Sequence, residues 1–514
     1  LCSITAVIWQ LGLLHVLGYG LNAYSILVPF LVFAIGISHG VQVVNGIAVR
    51  TVKGADSLMA SRRAFRSLYV PGITALVSDA VGFITMYLIP IEVIRDLGVA
   101  ASVGVAVVIL TNLVLLPIIM SFRRLEPRSV ARMQAGPEQK RPHWELLSKC
   151  ARRDRAGYVI AAAAALVALG LYYSKDLKIG DLDAGAPELH PDSRYNLDSA
   201  YINEHYGTSS DVLLIMVETL PERCSDYDNM ALIDSFMWQL ENVEGVQSVM
   251  GSPAVSRLVL SGYNEGSLKW ATITRNQRAL NSTFGMVPEQ LINTECSLSS
   301  VVAFLADHRA GTLDRALGSV EAFAAEYNSD DIRFVPAAGS AGIEAATNQE
   351  IEHSRLRMLY LVYGVVALLV YISFGSLRAV VCILLPLALT SILCQALMAR
   401  LGIGVKVATL PVIALGVGVG VDYGIYVYAR LSSFLRKGLA LDEAYRQTLY
   451  STGKAVAFTG VTLAIGVATW VFSPIKFQAD MGKLLTFMFL FNMVGALTLL
   501  PALAAFLLSK EKTS

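Results

Sequence analysis

Six side chains within apolar stretches could together form a proton relay, and the first two lie side by side in one stretch. Asp422 stands in the middle of the apolar run ATLPVIALGVGVGVDYGIYVYAR, residues 408–430, and Tyr423 follows it directly. An acid at the centre of a membrane helix costs about 2.5–3.5 kcal/mol on insertion scales, which makes it a functional candidate. The tyrosine hydroxyl could donate to the carboxylate or pass a proton on. The alternative is that Asp422 only lines a packing defect.

The helix that carries Asp422 also carries a row of glycines. Gly416, Gly420 and Gly424 recur at every fourth position, so one face of the helix has almost no side chains. Such a face lets a second helix pack closely against it. We therefore expect Asp422 to lie among protein atoms instead of lipid.

The composition indicates a polytopic membrane protein. The chain has 514 residues, 54% of them hydrophobic and only 16% charged, with a mean hydropathy of +0.55. Its apolar runs predict ten membrane spans, at 1–17, 23–49, 69–89, 97–122, 158–173, 357–374, 379–399, 408–428, 454–472 and 484–508. Because the chain opens at Leu1 inside an apolar run, without a signal sequence, we expect a further N-terminal part to precede it.

The distribution of charge predicts the sidedness. Residues 175–355 hold 27 of the 40 acids but only 12 of the 41 basic residues, a net charge of −15 against +16 elsewhere. Because Lys and Arg accumulate in cytoplasmic loops, this acidic block should lie on the outer side, in the periplasm of a bacterial inner membrane. The resulting organisation is a first bundle at 1–122, a basic cytoplasmic linker at 123–155, a span at 156–174, the outer domain at 175–355, a second bundle at 356–508 and a cytoplasmic tail at 509–514. Within the linker, a short helix near residues 144–150 could lie on anionic headgroups, or the linker could be a solvated tether.

The outer domain has the pattern of an α+β fold. Strand-like runs at 212–217, 270–274, 300–305 and 332–336 accompany amphipathic helices at 229–241 and 313–327. This order predicts a ferredoxin-like, porter-type sandwich. Cys224 and Cys296 are its only cysteines, and in an oxidising compartment they could form a disulfide or remain free.

A constant offset of 384 residues relates the two halves of the chain. It aligns GISHG at 36–40 with GVDYG at 420–424, so that Gly36 and Gly40 correspond to Gly420 and Gly424. The offset also holds downstream for three further glycines, for two prolines and for Asp96, which falls on Asp480. A duplication of this kind places the working site between the halves, near the midplane.

The repeat adds candidates to the site. It places Ser38 opposite Asp422, His39 opposite Tyr423, and Ser78 opposite Thr462, while Asp79 is a second acid inside a span. The resulting hypothesis is a proton relay made of Asp422, Tyr423, His39, Ser38, Asp79 and Thr462, since histidine titrates near neutrality. His39 could instead be a neutral ring bonded to a carbonyl, and Asp79 a structural partner of a neighbouring polar group.

The glycine-rich Asp-Tyr helix, its GISHG counterpart and the doubled bundle resemble the resistance-nodulation-division (RND) superfamily. The resemblance is greatest to the branch of MMPL proteins, hopanoid transporters and sterol-sensing-domain proteins. It implies export of a lipid or other hydrophobic substrate driven by the proton gradient, without a cofactor or metal. Members often carry an Asp-Tyr pair in both halves, whereas here the first half has Ser38 and His39. That departure puts a symmetric relay of two carboxylates in doubt, and Asp79 could replace the lost acid.

Two other functions fit the same bundle. One is a receptor that senses a sterol or lipid without transporting it, and the other is an accessory of protein export. Enzyme classes are disfavoured because the sequence lacks a nucleophile elbow, a P-loop and zinc-ligand spacing. The expected partners are a hydrophobic small molecule or lipid, the membrane, and further copies of the chain in a dimer or trimer, with no nucleic acid.

Overall fold

The protein divides into a helical unit and an α+β unit. The structure is a computed structural model, and it describes residues 1–123, 142–206 and 208–508. Unit 1 comprises residues 1–177, 352–473 and 477–514, and unit 2 comprises residues 178–351 and 474–476. The predicted tail at 509–514 and most of the predicted linker, residues 124–141, lie outside the described residues.

Unit 1 consists of α-helices joined by short connections. In the first half they are α1 Cys2–Val16, α2 Val28–Val52, α3 Ser57–Ile84, α4 Glu92–Val108, α5 Leu116–Ser121, α6 Pro142–Ser148 and α7 Arg153–Ser174. Unit 2 contains α8 Arg194–His205, β1 Val212–Thr219, α9 Tyr227–Glu241, β2 Val246–Met250, α10 Ser252–Tyr263, α11 Gln277–Phe284, β3 Leu298–Leu305, α12 Ala310–Tyr327 and β4 Ile332–Ala338. The chain continues through α13 Gly339–Phe374, α14 Leu377–Leu401, α15 Leu410–Leu435, α16 Leu441–Thr448, α17 Lys454–Ala468 and α18 Lys476–Leu507.

The prediction of a polytopic helical membrane protein is confirmed. Within the described residues, nine helical stretches are long and apolar enough to cross a bilayer, and each corresponds to one of the predicted spans. The remaining predicted span, at 1–17, forms α1, an apolar helix of 15 residues. That length is below the roughly 20 residues that a hydrocarbon layer of about 30 Å requires.

The two halves of the helical unit repeat element by element, as the offset of 384 predicts. Adding 384 to the bounds of α3 gives 441 and 468, which are the start of α16 and the end of α17. The short 3₁₀ turn Thr85–Leu88 maps in the same way onto Thr469–Phe472, and Glu92 maps onto Lys476, where α18 begins. The repeat is therefore a property of the fold as well as of the sequence.

Unit 2 contains one antiparallel sheet with the strand order β2-β3-β1-β4. This order, with α9 between β1 and β2 and α12 between β3 and β4, is the predicted ferredoxin-like arrangement. Alternate residues of β1, Leu213, Ile215 and Val217, are fully buried and pack with the two helices. The sheet thus has one apolar face, and the two helices cover it.

One predicted strand of this domain is wrong. Residues 270–274 form no strand, and the stretch holds only the end of a 3₁₀ turn, Leu268–Trp270. The second strand is instead β2, whose pairing with β3 is offset by an irregularity between Val246 and Ser248. The alternation over five residues was too weak to distinguish the two sites, and pairing with β3 decided between them.

The structure also places the two cysteines of the outer domain and the start of the basic linker's described part. Cys224 and Cys296 are joined by a disulfide, with their Cα atoms 5.0 Å apart. The described part of the basic linker contains α6, whose Trp144 is only 7% exposed and packs beside Gly453. Trp144 therefore anchors α6 on the helical unit, while Leu146 of the same helix is 61% exposed.

Candidate functional site

α15 is the helix that the rest of unit 1 surrounds. All of its most apolar window is buried inside the protein, compared with 11% for α7. Pro411 lies in the first turn of this helix, where the missing backbone N–H of a proline costs no helical hydrogen bond. A helix enclosed in this way can hold a carboxyl group in its middle, because neighbouring helices and not acyl chains meet the polar atoms.

The row of Gly416, Gly420 and Gly424 lets neighbouring helices approach α15 closely, but the row faces two helices and not one. An added Cβ on Gly416 or Gly420 would lie within 2.4 Å of Met488 or Asn492 of α18, whereas one on Gly424 would meet Ile383 of α14. Asn492 donates a hydrogen bond of 2.8 Å to the carbonyl of Gly416.

The first half uses its glycines in a related way. Asn112 donates a hydrogen bond of 2.9 Å to the carbonyl of Gly36, and an added Cβ on Gly36 would also meet Ser3. Gly40 is less crowded, with its nearest neighbour, Leu116, at 3.6 Å from an added Cβ. In both halves a buried asparagine therefore fixes a central helix by bonding the carbonyl of a glycine.

Three ionisable side chains meet beside this helix. Nε2 of His39 lies 2.8 Å from Oδ2 of Asp422, which joins α2 to α15 across the two halves. Asp79 on α3 completes the group, and one ligand atom from each residue lies within 4.8 Å of the others. His39 and Asp79 are fully buried and Asp422 is 3% exposed. The structure therefore brings together three of the six predicted residues.

Asp79 approaches α15 at a glycine that the sequence analysis did not single out. Its Oδ1 lies 3.6 Å from the position of a Cβ on Gly418, and Phe83 lies at 3.0 Å. Gly418 thus keeps α3 close to α15. The alternation GVGVG in the sequence contained this signal, because its second glycine faces a different helix from the first and third.

The tyrosine that contacts the group is Tyr426 and not Tyr423. The hydroxyl of Tyr426 lies 2.9 Å from Nδ1 of His39. The hydroxyl of Tyr423 is buried and has no hydrogen-bond partner among the described residues. The expectation that Tyr423 donates to Asp422 is therefore wrong. Neighbouring residues of a helix point in different directions, whereas residues four apart share a face, and Tyr426 is four residues after Asp422.

Several polar atoms of the group are unsatisfied. Within the described residues, both oxygens of Asp79 and Oδ1 of Asp422 are buried without a hydrogen-bond partner, and the contact at Nε2 of His39 has ion-pair distance without hydrogen-bond geometry. Buried polar atoms in this state are costly, and ionised ones more so. A proton or another small cation bound between these atoms would remove much of that cost.

Ser38 and Thr462 lie apart from this group. They line a cavity of about 190 Å³ between α2 and α17, together with Phe30, Phe33 and Phe458. Neither side chain forms a hydrogen bond to His39, Asp79 or Asp422 in the described parts of the chain. Their hydroxyls therefore belong to the wall of an apolar cavity. The repeat aligned Ser38 with Asp422 along the sequence, but it could not predict which side of α2 faces Asp422.

The same three ligands could also hold a metal ion, through one imidazole nitrogen and two carboxylate oxygens. Among the described residues, no fourth His, Cys, Asp or Glu joins these three as a ligand.

Comparison with known proteins identifies a family match in the second half of the chain and several relatives. The sequence profile of the MMPL family matches residues 297–512. A membrane protein of Methanocaldococcus jannaschii is 37% identical over 120 residues, which are 23% of this chain and 31% of that protein. The sulfolipid-1 exporter MmpL8 of Mycobacterium tuberculosis is 28% identical over 169 residues, 32% of this chain and 16% of the exporter.

Two further matches extend the comparison. The trehalose monomycolate exporter MmpL3 of Mycobacterium leprae is 28% identical over 203 residues, 38% of this chain and 21% of that protein. Among solved structures, SecDF of Thermus thermophilus has a TM-score of 0.56 at 14% identity, and the match covers 98% of this chain and 57% of SecDF. The matched segments are thus less than a third of the length of the curated relatives. These matches confirm the resemblance that the repeat and the Asp-Tyr helix predicted.

Proposed function

We propose that this chain, a multi-pass membrane protein of the MMPL type within the RND superfamily, exports a lipid or another hydrophobic substrate using the proton gradient. The observation that carries the proposal is the group of His39, Asp79 and Asp422, buried between the two halves. The lipid substrate class is supported by the names of two relatives, exporters of sulfolipid-1 and of trehalose monomycolate.

The group can couple protons to a movement of helices because its members come from three different helices. A proton added to Asp79 or Asp422 changes the charge that α3 or α15 presents to His39. In an apolar interior such a change is worth several kcal/mol, since charges there are weakly screened. The helices should therefore pack differently in the protonated and deprotonated states, which is the two-state element that transport requires.

Tyr426 offers a route to and from the group. Tyr426, whose hydroxyl bonds His39, is also one of the residues that line a polar cavity at the C-terminal ends of α2 and α15. The excess of basic residues at these ends indicates the cytoplasmic side. We propose that protons leave the group through Tyr426 into this cavity.

The test uses the purified protein in lipid vesicles that contain a pH-sensitive dye. An imposed pH gradient should drive proton uptake and the release of a fluorescent lipid to an external acceptor. Asp422→Asn and Asp79→Asn should each abolish both signals, because an amide cannot exchange a proton. Asp96→Asn is the matched control, since Asp96 lies outside the buried group, and it should retain both signals.

Other outcomes would assign a different function. If the protein bound lipid but released none under a pH gradient, and if Asp422→Asn bound lipid equally well, the protein would be a sensor and the proposal would be wrong. If the protein instead stimulated translocation of an unfolded polypeptide and released no lipid, it would be a protein-export accessory. SecDF, a translocon-associated membrane protein, has a similar fold. Activity that follows a sodium gradient at equal pH would assign the three ligands to a metal cation.

A further inference from the structure

A polar cavity lies at the predicted cytoplasmic end of the helical unit, beyond the buried acidic group. Its volume is about 290 Å³, close to the lower limit of about 300 Å³ for typical ligand sites. α2, α3, α15 and the π-helical turn Leu449–Gly453 form its wall. Both halves of the repeat thus contribute to it.

The wall of this cavity is basic. Four cationic side chains line it, Arg50, Lys53, Arg430 and Lys437, and none of the sixteen lining residues is acidic. Lys53 and Lys437 are related by the offset of 384, so each half supplies one lysine at the same position. No ion pair involves any of the four side chains within the described residues. No carboxylate of the described residues therefore balances their charge, although Arg430 and Lys437 lie over the ring of Phe434, at 4.5 and 5.8 Å from its centroid.

The two arginines are held in place but only partly satisfied. Arg50 donates to the carbonyl of Gly46 at 2.6 Å and to the hydroxyl of Ser67 at 2.5 Å, and Arg430 donates to the hydroxyl of Ser451 at 3.2 Å. A guanidinium has five N–H donors, so each arginine retains others. Arg50 and Arg430 line the same cavity, so two like charges share it.

Basic residues at helix C-termini have a simpler explanation, which does not cover this set. Cations near helix ends balance the macrodipole and contact lipid headgroups. Side chains that only contact headgroups are exposed, as Arg62, Arg63 and Arg66 near the start of α3 are. Arg50 and Arg430 are half-buried and share the cavity wall with residues that carry hydroxyl and amide groups, including Gln42 and Asn45. Holding two such like charges together is unfavourable unless an anion joins them.

We propose that this cavity binds a phosphate group, which Arg50 and Arg430 hold from opposite halves with Lys53 and Lys437 at its edge. Two guanidinium groups are suited to a phosphate because their planar forks match its oxygens. The serine and asparagine side chains of the wall can donate to the remaining oxygens. An anionic phospholipid of the cytoplasmic leaflet and free inorganic phosphate both carry this group.

The experiment measures binding to delipidated protein in a neutral detergent by native mass spectrometry and calorimetry. The ligands are a short-chain phosphatidylglycerol, the matching phosphatidylcholine and inorganic phosphate. Arg50→Gln/Arg430→Gln should weaken binding of phosphatidylglycerol or phosphate by about tenfold or more, since two charge-assisted contacts are lost. Arg62→Gln/Arg436→Gln removes the same charge from exposed sites that do not line the cavity and should change it less than about threefold.

Comparing the ligands identifies the source of the phosphate group, and comparing the variants shows whether the proposal is wrong. Binding of phosphatidylglycerol alone assigns a lipid headgroup, and binding of inorganic phosphate alone assigns free phosphate. Equal weakening by both double variants would mean general surface attraction, and no saturable binding of either ligand would also overturn the proposal. Arg50→Lys/Arg430→Lys keeps the charge and should keep measurable binding, which shows that a loss in the glutamine variant is not misfolding.

Discussion

At the scale of single residues, the chemistry of the site depends on which side chains touch His39. The ring contacts Asp422 through Nε2 and Tyr426 through Nδ1. A histidine with an acid on one nitrogen and a hydroxyl on the other can take a proton on one side while releasing one on the other. These two contacts of His39, which stands where relatives often have the tyrosine of a second Asp-Tyr pair, support its place in the proposed proton route.

Tyr426→Phe should reduce proton uptake more than Tyr423→Phe does. The first change removes the hydroxyl that bonds His39, a loss of about 0.5–1.5 kcal/mol, which corresponds to roughly twofold to thirteenfold in rate. The second removes a hydroxyl without a hydrogen-bond partner among the described residues and should change the rate less than about twofold. The rates are measured with a pH-sensitive dye in vesicles, and a larger effect of Tyr423→Phe would contradict the assignment.

At the scale of elements, glycines decide how closely the helices approach. Gly416 and Gly420 face α18, Gly418 faces α3 and Gly424 faces α14. One helix can therefore contact three neighbours at short range, and this enclosure excludes lipid from the carboxyl group. The row of every fourth glycine predicted close packing, but the partner of each glycine depends on how the neighbouring helices are arranged.

Gly420→Ala should destabilise the protein measurably. The added Cβ would lie 2.1 Å from Nδ2 of Asn492, so this side chain must move and give up its bond to Gly416. Displacing a buried, bonded amide in a packed interface costs about 1–3 kcal/mol, which thermal unfolding in detergent would detect as a lower Tm.

Gly364→Ala provides the matched control for that experiment. Gly364 lies within α13 and nothing is within 4 Å of an added Cβ. Alanine is favoured over glycine in a helix by about 1 kcal/mol, so this variant should be as stable as the original protein or more stable. Equal losses of stability at both sites would show that the contact with Asn492 is not the cause.

At the scale of the whole molecule, the two units have different sources of stability. Unit 1 consists of apolar helices around α15, whereas unit 2 has a ferredoxin-like sheet, a disulfide and a buried ion pair between His308 and Asp211. Nδ1 of His308 lies 2.8 Å from Oδ1 of Asp211, and both side chains are about nine-tenths buried. Burial lowers the pKa of His308, but the hydrogen bond and charge of Asp211, together with Asp181 and Glu344, outweigh it and raise the pKa.

Unit 2 should therefore be more stable in mildly acidic than in alkaline solution. A raised pKa in the folded state means that the ion pair contributes fully below the ordinary pKa of 6.5 and is lost as the pH rises through the raised value. His308→Gln should remove this part of the pH dependence, as measured by hydrogen exchange of the β1 and β3 amides between pH 5.5 and 8.5. His205→Gln, at an exposed position in α8, should leave it unchanged, and the assignment fails if both variants behave alike.

The sequence by itself determined the features that depend on spacing along the chain. The apolar runs gave the membrane helices, the offset of 384 gave the repeat, and Asp422 was recognisable because an acid inside such a run is costly. Two cysteines in the outer domain were enough to name Cys224 and Cys296 as candidate partners, which the structure joins.

Only the tertiary structure decided which side chains meet across helices. It places Asp79 beside His39 and Asp422, selects Tyr426 over Tyr423, and turns Ser38 and Thr462 towards an apolar cavity. It also places the second strand of the sheet at β2. The physical reason is that helical periodicity fixes which residues share a face, whereas the rotation and approach of each helix depend on the packing of all its neighbours.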